Sequence, residues 1–193
     1  MSNYSNEIAS KKIGFIVVGL MGTGMVQRLL MAGHETHVVA HKNRAPIEEV
    51  CKMGAILHNN ISDLAKKVEF IFLCLPSSSE VIKIAKKISR VQSKVNLIID
   101  CTTNSPNSLI TIHEIFANAK IEYLEAPLTG GVTQASEGQL GAILGGTGEA
   151  VEKAKPLLSA CCSKIAHIGP VGMGAKTKLV SNFLALEFTY FTD

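Results

Sequence analysis

The run Ile13-Gly14-Phe15-Ile16-Val17-Val18-Gly19-Leu20-Met21-Gly22-Thr23-Gly24-Met25 decides the fold class, because an almost continuously apolar strand passes straight into a glycine-spaced turn and then a helical pattern. Such a turn presents backbone N–H groups and a helix N-terminus to an anion, the arrangement that holds a pyrophosphate. Gly19 allows close approach and Gly22 allows tight packing of helix on strand. Leu20 and Met21, between them, supply first-turn N–H groups. The first glycine of the usual G-x-G-x-x-G spacing is missing, since Val17 stands there. A β-branched residue at a tight turn is strained, so nucleotide binding is expected to be weakened by about 1–3 kcal/mol rather than lost.

Working outward, further apolar runs recur at His37–His41, Glu69–Leu75, Asn96–Cys101, Ile121–Ala126, Gln139–Gly146 and Lys164–Gly169, with helical stretches between them. The runs from Ile13, Glu69 and Asn96 are apolar throughout, as strands buried on both faces are. The pattern predicts an α/β, Rossmann-like, doubly wound and mainly parallel sheet over residues 13–174, after a polar leading tail at 1–12. A long helix, 175–193, follows, and an interdomain helix cut short is the expectation for it. Helices are predicted over Gly22–Ala32, ending at Gly33, and over Pro46–Met53, ending at Gly54, with Ser62 as the cap of Asp63–Lys67. Ten of the 16 glycines fall between Gly130 and Gly174. For Gly138, Gly141, Gly145, Gly146 and Gly148 the expectation is a set of hairpin turns.

Composition narrows the function classes. With 19 Lys+Arg against 16 Asp+Glu the net charge is +3, too small a field to bind nucleic acid by bulk charge. No apolar run reaches the ~18 residues of a membrane span, and the leading tail has no apolar signal core, which makes cytoplasmic location the expectation. Five cysteines without a CxxC pair argue against a disulfide framework or zinc site, and Cys74 and Cys101 read as small hydrophobes. His34, His37, His58, His113 and His167 show no ligand pattern and read as satisfied structural histidines.

Cofactor choice is read after the second strand. An NAD-binding site places an acid there for the ribose, yet no acid lies between Glu35 and Glu48, and the loop instead carries Lys42, Asn43 and Arg44. Cations suit a 2′-phosphate, so NADP is expected over NAD.

Taken in order, these residues resemble the β-hydroxyacid dehydrogenases, a family that includes 3-hydroxyisobutyrate dehydrogenases and glyoxylate or tartronate semialdehyde reductases. The likeness rests on the glycine turn with Gly33-His34, on Cys74-Leu75-Pro76, on Asp100-Cys101-Thr102-Thr103-Asn104-Ser105-Pro106, on Glu125-Ala126-Pro127-Leu128-Thr129-Gly130-Gly131, and on Gly172-Met173-Gly174 followed by Lys178 and Asn182. Departures are Val17, Thr129 for the usual serine, and the absence of the family's helical C-terminal domain. The resemblance implies that Leu75, Pro76, Thr102 and Thr103 line the cofactor, that Thr129, Gly130 and Gly131 bind a small carboxylate-bearing substrate, and that Lys178 is the general acid/base. Thr129's hydroxyl with free N–H groups could hold a carboxylate as an anion nest does. Lys178 and Asn182 share a helix face one turn apart, and burial could lower a lysine's pKa toward the working pH. The implied reaction is NADP-dependent hydride transfer between a small 3-hydroxy acid and its aldehyde acid. The rival reading is a degenerate relative that binds nucleotide without turnover; sister activities such as imine reduction, and a pure interaction module, account for fewer of these residues. The stripe Leu179, Phe183, Leu186 and Tyr190 predicts a homodimer or higher homo-oligomer.

Overall fold

The computed structural model describes residues 9–39 and 44–190, with side chains up to residue 185. The chain alternates β1 (Lys12–Ile16), α1 (Leu20–Met31), β2 (Glu35–Val39), α2 (Ala45–Lys52), β3 (Ile56–His58), α3 (Ile61–Ala65), β4 (Phe70–Leu73), α4 (Ser78–Ile88), β5 (Leu97–Asp100), α5 (Pro106–Asn118) and β6 (Glu122–Glu125). It continues through β7 (Leu128–Thr129), α6 (Val132–Glu137), β8 (Leu140–Gly145), α7 (Gly148–Leu158), β9 (Cys162–Gly169) and α8 (Met173–Tyr190).

The strands join in the order β3-β2-β1-β4-β5-β6-β8-β7, with β9 added on β8. The first six are parallel, as expected from runs such as Phe70–Leu73 and Leu97–Asp100, every residue of which is buried. β8 departs from this, pairing antiparallel with both β6 and β7 through Glu125↔Gly145, Leu128↔Ala142 and Thr129↔Gly141. β9 then runs parallel to β8.

Each face of the sheet carries its own core. Phe15, Met25, Leu29, Val50, Leu144 and Leu157 pack with α1, α2, α6 and α7 on one side. Ile71, Leu73, Val81, Ile88, Ile112 and Phe116 pack with α3, α4 and α5 on the other, where Ala175 of α8 joins them. The connection reverses beside β1, flanked by β2 and β4, and this reversal opens the crevice in which doubly wound sheets bind ligands.

Several local expectations are corrected. Ser62 is not the cap of α3; Asn60 is, its Oδ1 accepting from the Asp63 N–H at 2.9 Å. An Asn side chain in extended backbone, one residue before the helix, reaches the third N–H, whereas Ser62 already lies inside the helix. Gly141 and Gly145 lie within β8 rather than in hairpin turns, and Gly138 ends α6 at φ 72°. Strands β3 and β7 are too short for a periodic signal. His34 is not fully satisfied, since Nδ1 accepts from the Lys11 N–H at 3.4 Å while buried Nε2 has no partner.

Candidate functional site

At the start of α1 the glycine turn has the expected form. Gly19 is the N-cap, in extended backbone, and a Cβ placed on it would meet nothing within 4 Å, so the space above the turn is open. A Cβ on Gly22 would come within 2.9 Å of the Phe15 ring and 3.0 Å of the Val17 carbonyl, which is why the helix can sit so close to β1. The first turn contains no acid and no side chain caps it. Its N–H groups, at Leu20, Met21 and Gly22, have no carbonyl one turn back inside the helix and are free to bind an anion.

Val17 resolves the missing glycine. It adopts φ +67°, the left-handed region that glycine enters without penalty, and the Gly19 N–H still donates to its carbonyl at 3.2 Å. The turn is therefore kept, at a backbone cost of about 1–2 kcal/mol. Val17 also lines a cleft of about 660 Å³ with Val39 and Leu75, rimmed by Asn60, Ser62, Lys83 and Lys87. An apolar slot beside an open helix N-terminus fits the adenosine half of a dinucleotide. Arg44 is exposed at the start of α2 near this end of the sheet, whereas Lys42 and Asn43 lie outside the described residues.

The loops after β4 and β5 are tied together from below. Asp100 is fully buried; its Oδ1 accepts from the Thr102 N–H at 2.9 Å, and its Oδ2 from Asn104 Nδ2 and the Tyr123 hydroxyl at 2.8 Å each. Thr102 in turn accepts, through Oγ1, from the Leu75 N–H at 3.0 Å. Thr102's hydroxyl is thus buried and holds the loop after β4, while Pro76 and Thr103 are exposed. Burial raises the Asp100 pKa against the opposing hydrogen bonds from Thr102, Tyr123 and Asn104.

On the far side, Thr129 ends β7 and Gly130 follows at φ 109°, a conformation that favours glycine. Gly131's N–H is not free as expected, because Gln134 Oε1 accepts it at 2.9 Å. Lys178 is half-buried on α8, which packs along β8 and β9, and desolvation lowers its pKa. Asn182 is exposed one turn further on. A residue without an assigned role in the sequence reading, Glu125, is buried at the end of β6 and binds the start of α8. The sequence carried a signal, an acid closing an apolar run just before Pro127.

Elsewhere the chemistry is quiet. The cysteines are free, and burial pushes the thiols of Cys74 and Cys162 up to about 11 and about 12, as inert core residues. Among the described residues no cluster could hold a metal ion, and no helix is long and apolar enough to cross a membrane.

Comparison with known proteins places this geometry. Residues 12–169 match the family described as the NAD binding domain of 6-phosphogluconate dehydrogenase. The mitochondrial 3-hydroxyisobutyrate dehydrogenase of Drosophila melanogaster is 30% identical over 181 residues, 93% of this chain and 56% of that protein. The 2-hydroxy-3-oxopropionate reductase of Escherichia coli K12 is 28% identical over 176 residues, 90% of this chain and 60% of its own. A solved Mycobacterium tuberculosis 3-hydroxyisobutyrate dehydrogenase with L-serine superposes with a TM-score of 0.85 over 91% of this chain and 60% of that one, and at 23% identity it speaks for the fold. The chain spans 56–60% of the length of these curated relatives. With its glycine turn, its sheet order and a match over most of its length, the chain belongs to the family of the 6-phosphogluconate dehydrogenase NAD-binding domain, with curated relatives among the β-hydroxyacid dehydrogenases.

Proposed function

We propose that this chain binds NADP, in preference to NAD, across the start of α1, and that it takes part in interconverting a small 3-hydroxy acid and its aldehyde acid. The observation that carries the reading is Lys178, a half-buried lysine with a lowered pKa and no carboxylate against it among the described residues, on a helix beginning beside the β6–β8 junction. A lysine paired with an acid would stay charged; desolvation without such a partner favours the neutral amine and so eases proton exchange. A nicotinamide dinucleotide, when bound, would supply the hydride in reduction and accept it in oxidation. Lys178 then gives a proton to the substrate oxygen in reduction and removes it in oxidation, and Asn182 orients that oxygen. Thr129 and the Gly130 N–H hold the substrate carboxylate; the Gly131 N–H joins them only if Gln134 lets go. Arg44, with Lys42 and Asn43, meets the 2′-phosphate, and Leu75, Pro76 and Thr103 line the cofactor while Thr102 braces them.

Replacing Lys178 by Ala should lower turnover about 10²- to 10⁴-fold, the range for a general acid/base, with nucleotide affinity unchanged. Undiminished turnover would remove the assignment. The described part of the α8 stripe, Leu179 and Phe183, is exposed together with Val180 and Leu184, and Leu186 and Tyr190 have side chains outside the described residues. A second copy of the chain covering this face is the proposed assembly, a dimer or higher homo-oligomer; a monodisperse monomer in light scattering at high concentration would rule it out.

A further inference from the structure

Glu125 lies at the last position of β6, 1% exposed, and its carboxylate reaches the beginning of another element. Oε1 accepts from the Gly172 and Gly174 N–H groups at 2.7 Å each, and Oε2 from the Ala175 N–H at 3.2 Å. These are the amides that the first turn of a helix leaves without partners, and the Met173 N–H is taken by the Pro170 carbonyl at 3.1 Å. A side chain from a distant strand thus caps α8, with its negative charge at the positive end of the helix dipole.

Surrounding glycines are shaped to this contact. A Cβ on Gly145 would collide with the Glu125 carboxylate, and one on Gly174 would come within 2.9 Å of the Ile143 carbonyl and 3.1 Å of the carboxylate. Lys178 lies one turn beyond Ala175, and Thr129 lies one residue past Leu128, on the path that continues β6 along β8. Glu125 therefore ties the helix carrying Lys178 to the strand leading into the Thr129 loop.

We infer that Glu125 is the positioning residue of Lys178: through the Gly172, Gly174 and Ala175 amides it fixes the start of α8, and with it the depth at which the lysine side chain sits. The inference deepens the proposed function and rests on its assignment of Lys178. Without the clamp the first turn of α8 frays, water reaches Lys178, and its pKa returns toward that of an ordinary lysine. Glu125 itself is held by burial toward a higher pKa, opposed by the hydrogen bonds from Gly174, Gly172 and Ala175, with Asp100 on the neighbouring strand adding to the rise.

The test compares the parent chain with Glu125→Gln and Glu125→Asp. Readouts are hydrogen exchange at the Gly174 and Ala175 amides and the titration of the Lys178 side chain by NMR, with NADPH affinity as the check on folding. Glu125→Gln puts an amide N–H₂ where the Ala175 N–H needs an acceptor. It should speed exchange at Gly174 and Ala175 about tenfold or more, raise the Lys178 midpoint, and leave NADPH affinity unchanged. Glu125→Asp, which keeps the charge on a shorter side chain, should fall between. If Glu125→Gln does not fold, Gly145→Ala displaces the carboxylate while retaining it and should give the same pair of shifts. Unchanged exchange and an unchanged Lys178 midpoint in a folded variant overturn the inference. Turnover that survives Lys178→Ala overturns the proposed function instead, and leaves the clamp result standing.

Discussion

Two long helices begin at the level of the carboxyl ends of the parallel strands, and they begin in opposite ways. The start of α1 has open space above Gly19, no acid in its first turn and no side-chain cap. The start of α8 is filled by Glu125, which engages the Gly172, Gly174 and Ala175 amides. An uncapped helix N-terminus at a ligand crevice is an anion site, whereas one already holding a carboxylate is a fixed structural joint. On the proposed reading, the start of α1 receives charge and the start of α8 holds a lysine still.

The contrast can be broken by giving α1 an acid of its own. Leu20 is 74% exposed in the first turn, so Leu20→Glu costs little packing and should stabilise the helix by about 0.3–1 kcal/mol. The same carboxylate opposes a pyrophosphate, and NADPH affinity should fall about 100-fold, from like-charge repulsion of roughly 1–4 kcal/mol at a charge pair. Thermal unfolding and a nucleotide titration read the two opposite signs. Unchanged affinity would mean that the phosphates do not sit on α1.

At the adenosine end, Arg44→Ala should weaken NADP binding about 10- to 100-fold, the loss of one charged hydrogen bond, and leave NAD binding nearly untouched. Equal effects on both nucleotides would detach Arg44 from the 2′-phosphate.

Val17→Gly comes next in size. The strain at φ +67° belongs to the chain without ligand; kept on binding, it cancels in the affinity. What the substitution changes is bulk in the cleft, and NADPH should bind about tenfold tighter or less, the low end of the range expected from strain alone. Stability should barely move, because relief of about 1–2 kcal/mol of backbone strain is offset by glycine's greater freedom in the unfolded chain and the lost packing of a half-buried valine. Weaker binding in the variant would mean that the valine side chain contacts the nucleotide.

The smallest effect concerns pH. Asp100 and Glu125 both have pKa values raised by burial, so the folded chain holds protons more tightly than the unfolded one at these two sites. Their contribution to stability is full below the ordinary carboxylate range and is lost as pH rises through the raised values. Asp100→Asn removes one of the two, and the unpartnered Asn104 Oδ1 can accept from the new amide. The variant's denaturation midpoint should therefore change less between pH 5 and pH 7.5 than the parent's. An equal change in both proteins would place the pH dependence elsewhere.

Much of the α1 side was legible in the sequence, because glycine spacing after an apolar run reports a backbone requirement directly. Gly22 packs α1 tightly on β1 as its spacing implied, and Gly19 leaves the space above the turn open. The α8 side was less legible. Glu125 and Asp100 act through partners 47 and four residues away, and neither separation leaves a periodic trace. Gly145 was read as a turn residue because the signal for a close approach and for a hairpin is the same residue; only the collision with Glu125 tells them apart. Gln134's hold on the Gly131 N–H was invisible for a similar reason, since a glutamine in a polar helix normally faces solvent. Lys178 and Asn182 entered through resemblance, and their helical spacing fitted it.

The central claim is that the α1 start receives a dinucleotide despite Val17. A fluorescence titration of the chain with NADPH and NADH, repeated on Leu20→Glu, tests it most directly. Saturable binding of both nucleotides, tighter for NADPH and strongly weakened by the added glutamate, is the predicted result; no saturable binding of either nucleotide to the parent chain would contradict the account.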